Sequence, residues 1–118
     1  MAEDSYYYYC LGEDSVKKGN WEEAETYYLK SLELGEHFKT HHKLSLLYRN
    51  FDKSDKAEHH LEQAFLLNPK NDKIALEYSE MIAQKDRHFE AVEILESILK
   101  RNNTYGPAIK LKALLMKE

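Results

Sequence analysis

Residues 41–61 read HHKLSLLYRNFDKSDKAEHHL, and this stretch decides the fold. Leu44, Ser45 and Tyr48 lie on the i, i+3, i+4, i+7 stripe of a buried helical face. A second stripe follows, with Leu61 and then Phe65 after Ala57. Ser45 and Ala57 are both small, stand twelve positions apart, and fall one in each helical segment. Small residues so placed mark where two antiparallel helices approach most closely, because large side chains would force them apart.

The same pair recurs on either side. Gly12 and Ala24 precede it, Ser79 and Ala91 follow it, and Gly12, Ser45 and Ser79 are spaced 33 and 34 apart. A fixed period in this range identifies stacked supersecondary units. The flanking apolar positions agree: Tyr8 and Leu11 precede Gly12, Tyr78 precedes Ser79, and Ile82 follows it. Tyr28 and Leu32 come after Ala24, as Leu95 and Leu99 come after Ala91. At the junctions, Asn20-Trp21-Glu22-Glu23 has the form of a capping box, and Asn68-Pro69 ends a helix because proline disfavours helical geometry in the preceding residue. These signals predict an all-α chain with helices over 5–17, 21–34, 38–50, 54–67, 72–85, 88–101 and 107–117.

Composition narrows the function. Of 118 residues, 42% are apolar and 32% charged, with four Gly and two Pro, which argues against disorder and against a sandwich of many tight turns. No stretch approaches the roughly 20 apolar residues of a membrane span, and the start Met1-Ala2-Glu3-Asp4 has no cationic segment followed by an apolar one. Cys10 is the sole cysteine, so no internal disulfide forms; it reads as a small helical hydrophobe, and a reducing, cytoplasmic setting is expected. The net charge of −4 gives no basic field for nucleic acid. His37, His41 and His42 lack a third ligand fixed by sequence, so no metal is expected. The carboxylates are dispersed, and a phosphate loop and a nucleophile elbow are both missing, so neither enzyme activity nor a cofactor is expected.

The sequence resembles the tetratricopeptide repeat (TPR) family, whose period is about 34 residues with the pattern W-x2-L-G-x2-Y, A-x3-F, P. The first repeat matches as Tyr8-x2-Leu11-Gly12-x2-Ser15 and Ala24-x3-Tyr28. The second matches as His41-x2-Leu44-Ser45-x2-Tyr48, Ala57-x3-Leu61 and Pro69. The third reads Ala75-x2-Tyr78-Ser79-x2-Ile82 and Ala91-x3-Leu95, with Asn103 in place of the proline and Ile98 where a small residue is usual. The resemblance implies one domain over 1–118, a right-handed α-solenoid of antiparallel hairpins with repeats at about 5–37, 38–71 and 72–105. A capping helix over about 107–117 has Ile109, Ala113 and Met116 in phase with a further first helix, and terminal units of solenoids commonly need a polar outer face.

For function, the resemblance implies a protein–protein interaction module, scaffold or adaptor, whose first helices line a concave groove for a partner's peptide or helix. The family's groove positions fall on Tyr6, Tyr9, Glu13 and Lys17, then on Lys39, His42, Lys43, Leu46 and Arg49. Further along they fall on Lys73, Leu76, Glu77 and Glu80, with Lys110 and Leu114 at the end. Some family members clamp chaperone C-terminal carboxylates with basic and amide side chains. The corresponding positions here hold Tyr9 and Glu13, then Lys43, then Lys73 and Glu77, a set unsuited to such a clamp. The run Tyr6-Tyr7-Tyr8-Tyr9 points its side chains in successive directions about 100° apart. Tyr8 is expected inward, Tyr7 at the open end, and Tyr6 and Tyr9 toward the groove. The alternative to a peptide groove is a self-assembling unit, a homo-oligomer formed through its terminal helices.

Overall fold

The structure, a computed structural model, describes residues 3–117; the Met1-Ala2 start and Glu118 lie outside the described residues. Among the described residues there are seven helices and no strand: α1 (Ser5–Lys17), α2 (Trp21–Leu34), α3 (Phe38–Asn50), α4 (Ser54–Leu67), α5 (Asp72–Ala83), α6 (His88–Arg101) and α7 (Gly106–Met116). They fall into two compact units, Met1–Leu67 with α1 to α4 and Asn68–Glu118 with α5 to α7.

The first helix of each hairpin begins on an acceptor side chain. Asp4 accepts from the Tyr7 amide, His37 from the Lys39 amide and Asn71 from the Ile74 amide, at 2.9, 3.1 and 3.0 Å. Each bond satisfies one of the amides that a helix start leaves without a partner. The hairpin turns repeat as well. Gly19, Asp52 and Asp86 have φ of 77, 61 and 64°. The residue after each donates its amide back to Ser15, Tyr48 or Ile82, which closes the helix end in the manner of a Schellman turn. In the third hairpin this closure stops α5 at Ala83, two residues short of the predicted end.

The expected capping box at Asn20 does not form. Its side chain makes no capping bond, and its amide is taken up by Ser15 O in closing the turn. The carboxylate of Glu23, expected to reach back to that amide, accepts the Ser15 hydroxyl instead at 2.9 Å.

Within the first unit Tyr28, Leu44, Leu47 and Tyr48 pack on Ala24 and Ala57, with Tyr9, Val16, Leu32 and Phe51 at the margin. Burying each such side chain contributes about 1.5–3 kcal/mol. Gly12 lies under the ring of Tyr28, where an added Cβ would come within 2.6 Å of Cε1. Tyr48 OH donates to Glu25 Oε2 at 2.8 Å and ties α3 to α2. Cys10, read as a small hydrophobe, is exposed on α1, so its side chain contributes nothing to the core.

The core of the second unit is built by Ile74, Tyr78 and Ile82 of α5, by Ala91, Leu95 and Ile98 of α6, and by Ala108 of α7. Ser79 is fully buried and satisfies its hydroxyl on Leu76 O at 2.8 Å, as Ser45 does on His42 O at 2.7 Å. The helix α7 departs from the polar-faced cap expected of it. It packs through Ala108, while Ile109, Leu114 and Met116 are exposed.

Candidate partner-binding face

Three of the groove residues meet at one place. The N-terminal turns of α1 and α3, with the linker between α2 and α3, enclose an open cleft of about 510 Å³ lined by Tyr6, Tyr9, Lys39 and Thr40 among others. Tyr6 is 72% exposed and stacks on Tyr9, ring centres 6.3 Å apart; Tyr9 in turn leans on the buried Tyr28 at 6.0 Å. An aromatic ladder thus runs from solvent to core. Tyr7 meets Tyr8 edge to face at 5.1 Å and Tyr8 stacks on Tyr27 at 6.3 Å, so half of the tyrosine run covers the α1–α2 surface. The tyrosines divide as helical geometry requires, two to each side.

Below the ladder sits Glu13. It accepts the Tyr28 hydroxyl on Oε1 and lies 3.7 Å from Lys43 Nζ through Oε2. Burial, followed by this bond and the charge of Glu13, holds the Tyr28 hydroxyl well above the ordinary tyrosine range. Burial and Glu13 also raise Tyr9. Both phenols therefore stay neutral and keep their protons as donors. The middle of this face is not a free cationic patch, since Lys43 is matched by a carboxylate that the core holds in place.

On α3 His42 and Leu46 are half-buried and Arg49 is exposed; on α5 Leu76 and Glu77 are half-buried, with Lys73 and Glu80 exposed. Several contacts escape periodicity altogether. Ser31 Oγ donates to Ser5 O at 2.7 Å while Ser5 Oγ lies 2.9 Å from Gly35 O, fastening α1 to the end of α2 beside the cleft. His41, 3% exposed, sets Nε2 2.9 Å from Glu36 Oε1 and Nδ1 2.9 Å from Nδ1 of His60. Burial first, then the neighbouring His41, His59 and Lys56, pushes His60 down to about 4. Nothing in the local sequence announces the Ser5–Ser31 and His41–His60 pairs, because their partners lie on different helices. Among the described residues no group of three or more His, Cys, Asp or Glu is placed to hold a metal.

The antiparallel hairpins and repeating caps define a helical-repeat protein. Two family models described as tetratricopeptide repeat match residues 5–38 and 38–71. The chain belongs to the tetratricopeptide repeat family. No curated protein matches its sequence. Among solved structures it is similar to YrrB, a TPR protein with an unusual peptide-binding site, at TM-score 0.75 and 19% identity. The match covers 94% of this chain and 58% of YrrB's. It is also similar to the first TPR of Spaghetti (RPAP3) bound to the HSP90 peptide SRMEEVD, at TM-score 0.74 and 17% identity, covering 99% and 94% of the two chains. Yeast Tom70 matches at TM-score 0.74 and 19% identity over 95% of this chain and 23% of its own. At these identities the likeness is one of fold. No described helix is long and apolar enough to cross a membrane.

Proposed function

We propose that the chain is a non-catalytic adaptor of the cytoplasm that binds a peptide or helix of a partner protein along α1 and α3. The observation that carries this reading is the cleft between the starts of α1 and α3, where Tyr6 and Tyr9 present a half-exposed aromatic floor beside Lys39. Aromatic side chains at the mouth of a concave site are the usual anchors of an interface. Family membership supports it, since peptide binding is named for two of the similar structures. Along α3, Leu46 adds an apolar contact, and with Lys43 matched by Glu13 it is His42 and Arg49 that favour a ligand with some acidic groups. In the second unit, Lys73, Leu76, Glu77 and Glu80 occupy the same register on α5.

The ligand is not a chaperone-type terminal carboxylate in this proposal. Glu13, fixed by Tyr28 and Lys43, would face such an anion and repel it. Two measurements test the reading. Affinity capture followed by mass spectrometry, with wild type against Tyr6→Ala/Tyr9→Ala and against His42→Ala/Lys43→Ala/Arg49→Ala, should lose the same partners in both variants. Unchanged partner profiles from folded variants would overturn it. Isothermal titration with the peptide SRMEEVD should give no saturable heat; saturable binding would refute the argument from Glu13.

A further inference from the structure

Three ionisable groups form a line from α4 through the interior of the first unit to the wall of the cleft, and the peptide-binding reading leaves them unused. His41 of α3, 3% exposed, has Nε2 at 2.9 Å from Glu36 Oε1 and Nδ1 at 2.9 Å from Nδ1 of His60. Glu36 is exposed and belongs to the cleft lining, where Asp4, His37 and Lys39 are the other charged or titratable groups besides the two tyrosines.

Acceptor chemistry fixes where the hydrogens sit. An ionised carboxylate only accepts, so His41 Nε2 carries a hydrogen. Neutral His41 then has a bare Nδ1, and the nitrogen that faces it, His60 Nδ1, must donate. Both bonds run in one direction, from His60 through His41 to Glu36. The Nε2 of His60 is left bare, on a ring that is only half-buried.

Such a line takes up one proton without moving a heavy atom. A proton from water binds His60 Nε2, the hydrogen on His60 Nδ1 crosses to His41 Nδ1, and His60 ends neutral with its hydrogen on Nε2. His41 ends as the imidazolium, donating to Glu36 from one nitrogen and to His60 from the other. The groups around His60 oppose the reverse distribution, a charged His60 beside a neutral His41. Its ring lies against His41 and Tyr48 of α3 and His59 of its own helix, and Lys56 Nζ stands 5.5 Å over the Tyr48 ring. Glu25 of α2 is engaged by the Tyr48 hydroxyl, and Glu58 and Glu62, two residues to either side on α4, do not share the face of His60. Burial first, then His41, His59 and Lys56, keep His60 neutral down to about 4. His41 instead has a carboxylate at its far nitrogen, and a buried charge is tolerated where it is paired and hydrogen-bonded.

The consequence falls on the cleft. With His41 neutral, Asp4 and Glu36 stand against Lys39 alone, and Glu3 beside Asp4 adds to the negative side. With His41 charged, Glu36 is answered from the core side, and a proton on the exposed His37 adds a further positive charge. From this line of bonds we infer that His60, His41 and Glu36 form a proton relay that regulates the cleft, disfavouring an acidic peptide segment when His41 is neutral and admitting one when it is charged. The inference deepens the peptide-binding reading and rests on it.

The test uses full-length protein isotope-labelled at the histidine nitrogens, with long-range proton–nitrogen correlation spectra from about pH 7.5 to about 5.5, the range in which imidazoles gain charge. At the upper end hydrogen is expected on Nε2 of His41 and Nδ1 of His60. At the lower end both His41 nitrogens should carry hydrogen and His60 should hold its own on Nε2, with one midpoint for both changes. Glu36→Gln, at an exposed position, should keep the wild-type circular dichroism spectrum and lower that midpoint by about one pH unit, because the carboxylate that favours the charged ring is gone. The charge of the cleft is read with two small nitroxides, one a carboxylate and one an ammonium, through their relaxation effects on the Gly35 and Lys39 amide protons. On acidification these amides should turn toward the anionic nitroxide, in part even in His37→Gln, and the turn should follow the His41 midpoint into its displaced position in Glu36→Gln. A His60 that charges before His41, tautomers unchanged across this range, a midpoint unmoved by Glu36→Gln, or a nitroxide preference that follows His37 alone would each overturn the relay. None of these results touches the capture of partners through Tyr6 and Tyr9, on which the peptide-binding reading stands.

Discussion

Gly12→Ala tests the hairpin geometry most sharply. An added Cβ would stand 2.6 Å from Cε1 and 2.7 Å from Cδ1 of Tyr28. Carbon atoms meet favourably at about 3.5–4.0 Å, so the ring or the helix must shift by about 1 Å. The ring has nowhere to go: Tyr28 is 0% exposed, and its hydroxyl is tied to Glu13. Overpacking of this kind destabilises by about 1–3 kcal/mol, and replacing a glycine in a helix interior offsets about 0.5–1 kcal/mol of that. The expected net loss is about 1–2 kcal/mol. The other hairpins show how the crowding is relieved. Ser45 with Leu61 and Ser79 with Leu95 hold the same sixteen-residue separation as Gly12 with Tyr28, and all four are buried. Gly12→Ser should therefore destabilise strongly in the wild-type background and far less beside Tyr28→Leu, with a coupling of about 1 kcal/mol or more between the two sites. Urea unfolding of wild type, both single variants and the double, followed by far-ultraviolet circular dichroism at constant m-value, measures this. Strict additivity, or a Gly12→Ala protein as stable as wild type, would refute the packing argument.

Three further outcomes are expected. Ala57→Leu places a branched side chain at a 6% exposed point between α3 and α4 and should destabilise by about 1–3 kcal/mol; an unchanged urea midpoint would count against that helix pairing. Tyr48→Phe removes the bond to Glu25 that joins α2 to α3, with an expected loss of about 1.5–3 kcal/mol in the same assay, and Glu25→Ala should then add little more. Acid should weaken the first unit through His60. Its folded value near 4 lies below the ordinary 6.5, so as pH falls through 6.5 the unfolded chain takes the proton first, and stability declines until the folded value is passed. By pH 5 the part of the shift already traversed would correspond to ~2 kcal/mol, reduced to about 1 kcal/mol because the ring keeps part of its hydration. The slope of stability against pH between about 7 and 5 should flatten in His60→Gln, and a slope unchanged by that substitution would remove His60 as its source.

The hairpins are legible in the sequence because their requirements are local and repeat. A small residue must sit where helices cross, an apolar stripe must keep the helical period, and a chain that meets both conditions three times with spacings of 33 and 34 leaves little freedom in fold. The repeat extends beyond the residues that announce it, to the caps Asp4, His37 and Asn71 and to the left-handed turns at Gly19, Asp52 and Asp86. Asp52 and Asp86 show why such turns are hard to see in a sequence: a glycine signals positive φ by its type, whereas an aspartate, which tolerates it, looks like any surface charge.

The α1–α3 face is harder to read for a different reason. Family register places Glu13 and Lys43 on one face, but charge counting alone makes that face basic at its centre. Which cation is already answered depends on the Tyr28 hydroxyl reaching across from α2 and fixing the carboxylate beside Lys43. The helix α7 shows the complementary limit. Its stripe Ile109, Ala113 and Met116 was in phase as read, yet periodicity reports only which residues share a face. Whether another helix lies against that face is a property of the packing, and here Ile109, Ala113 and Met116 are all exposed.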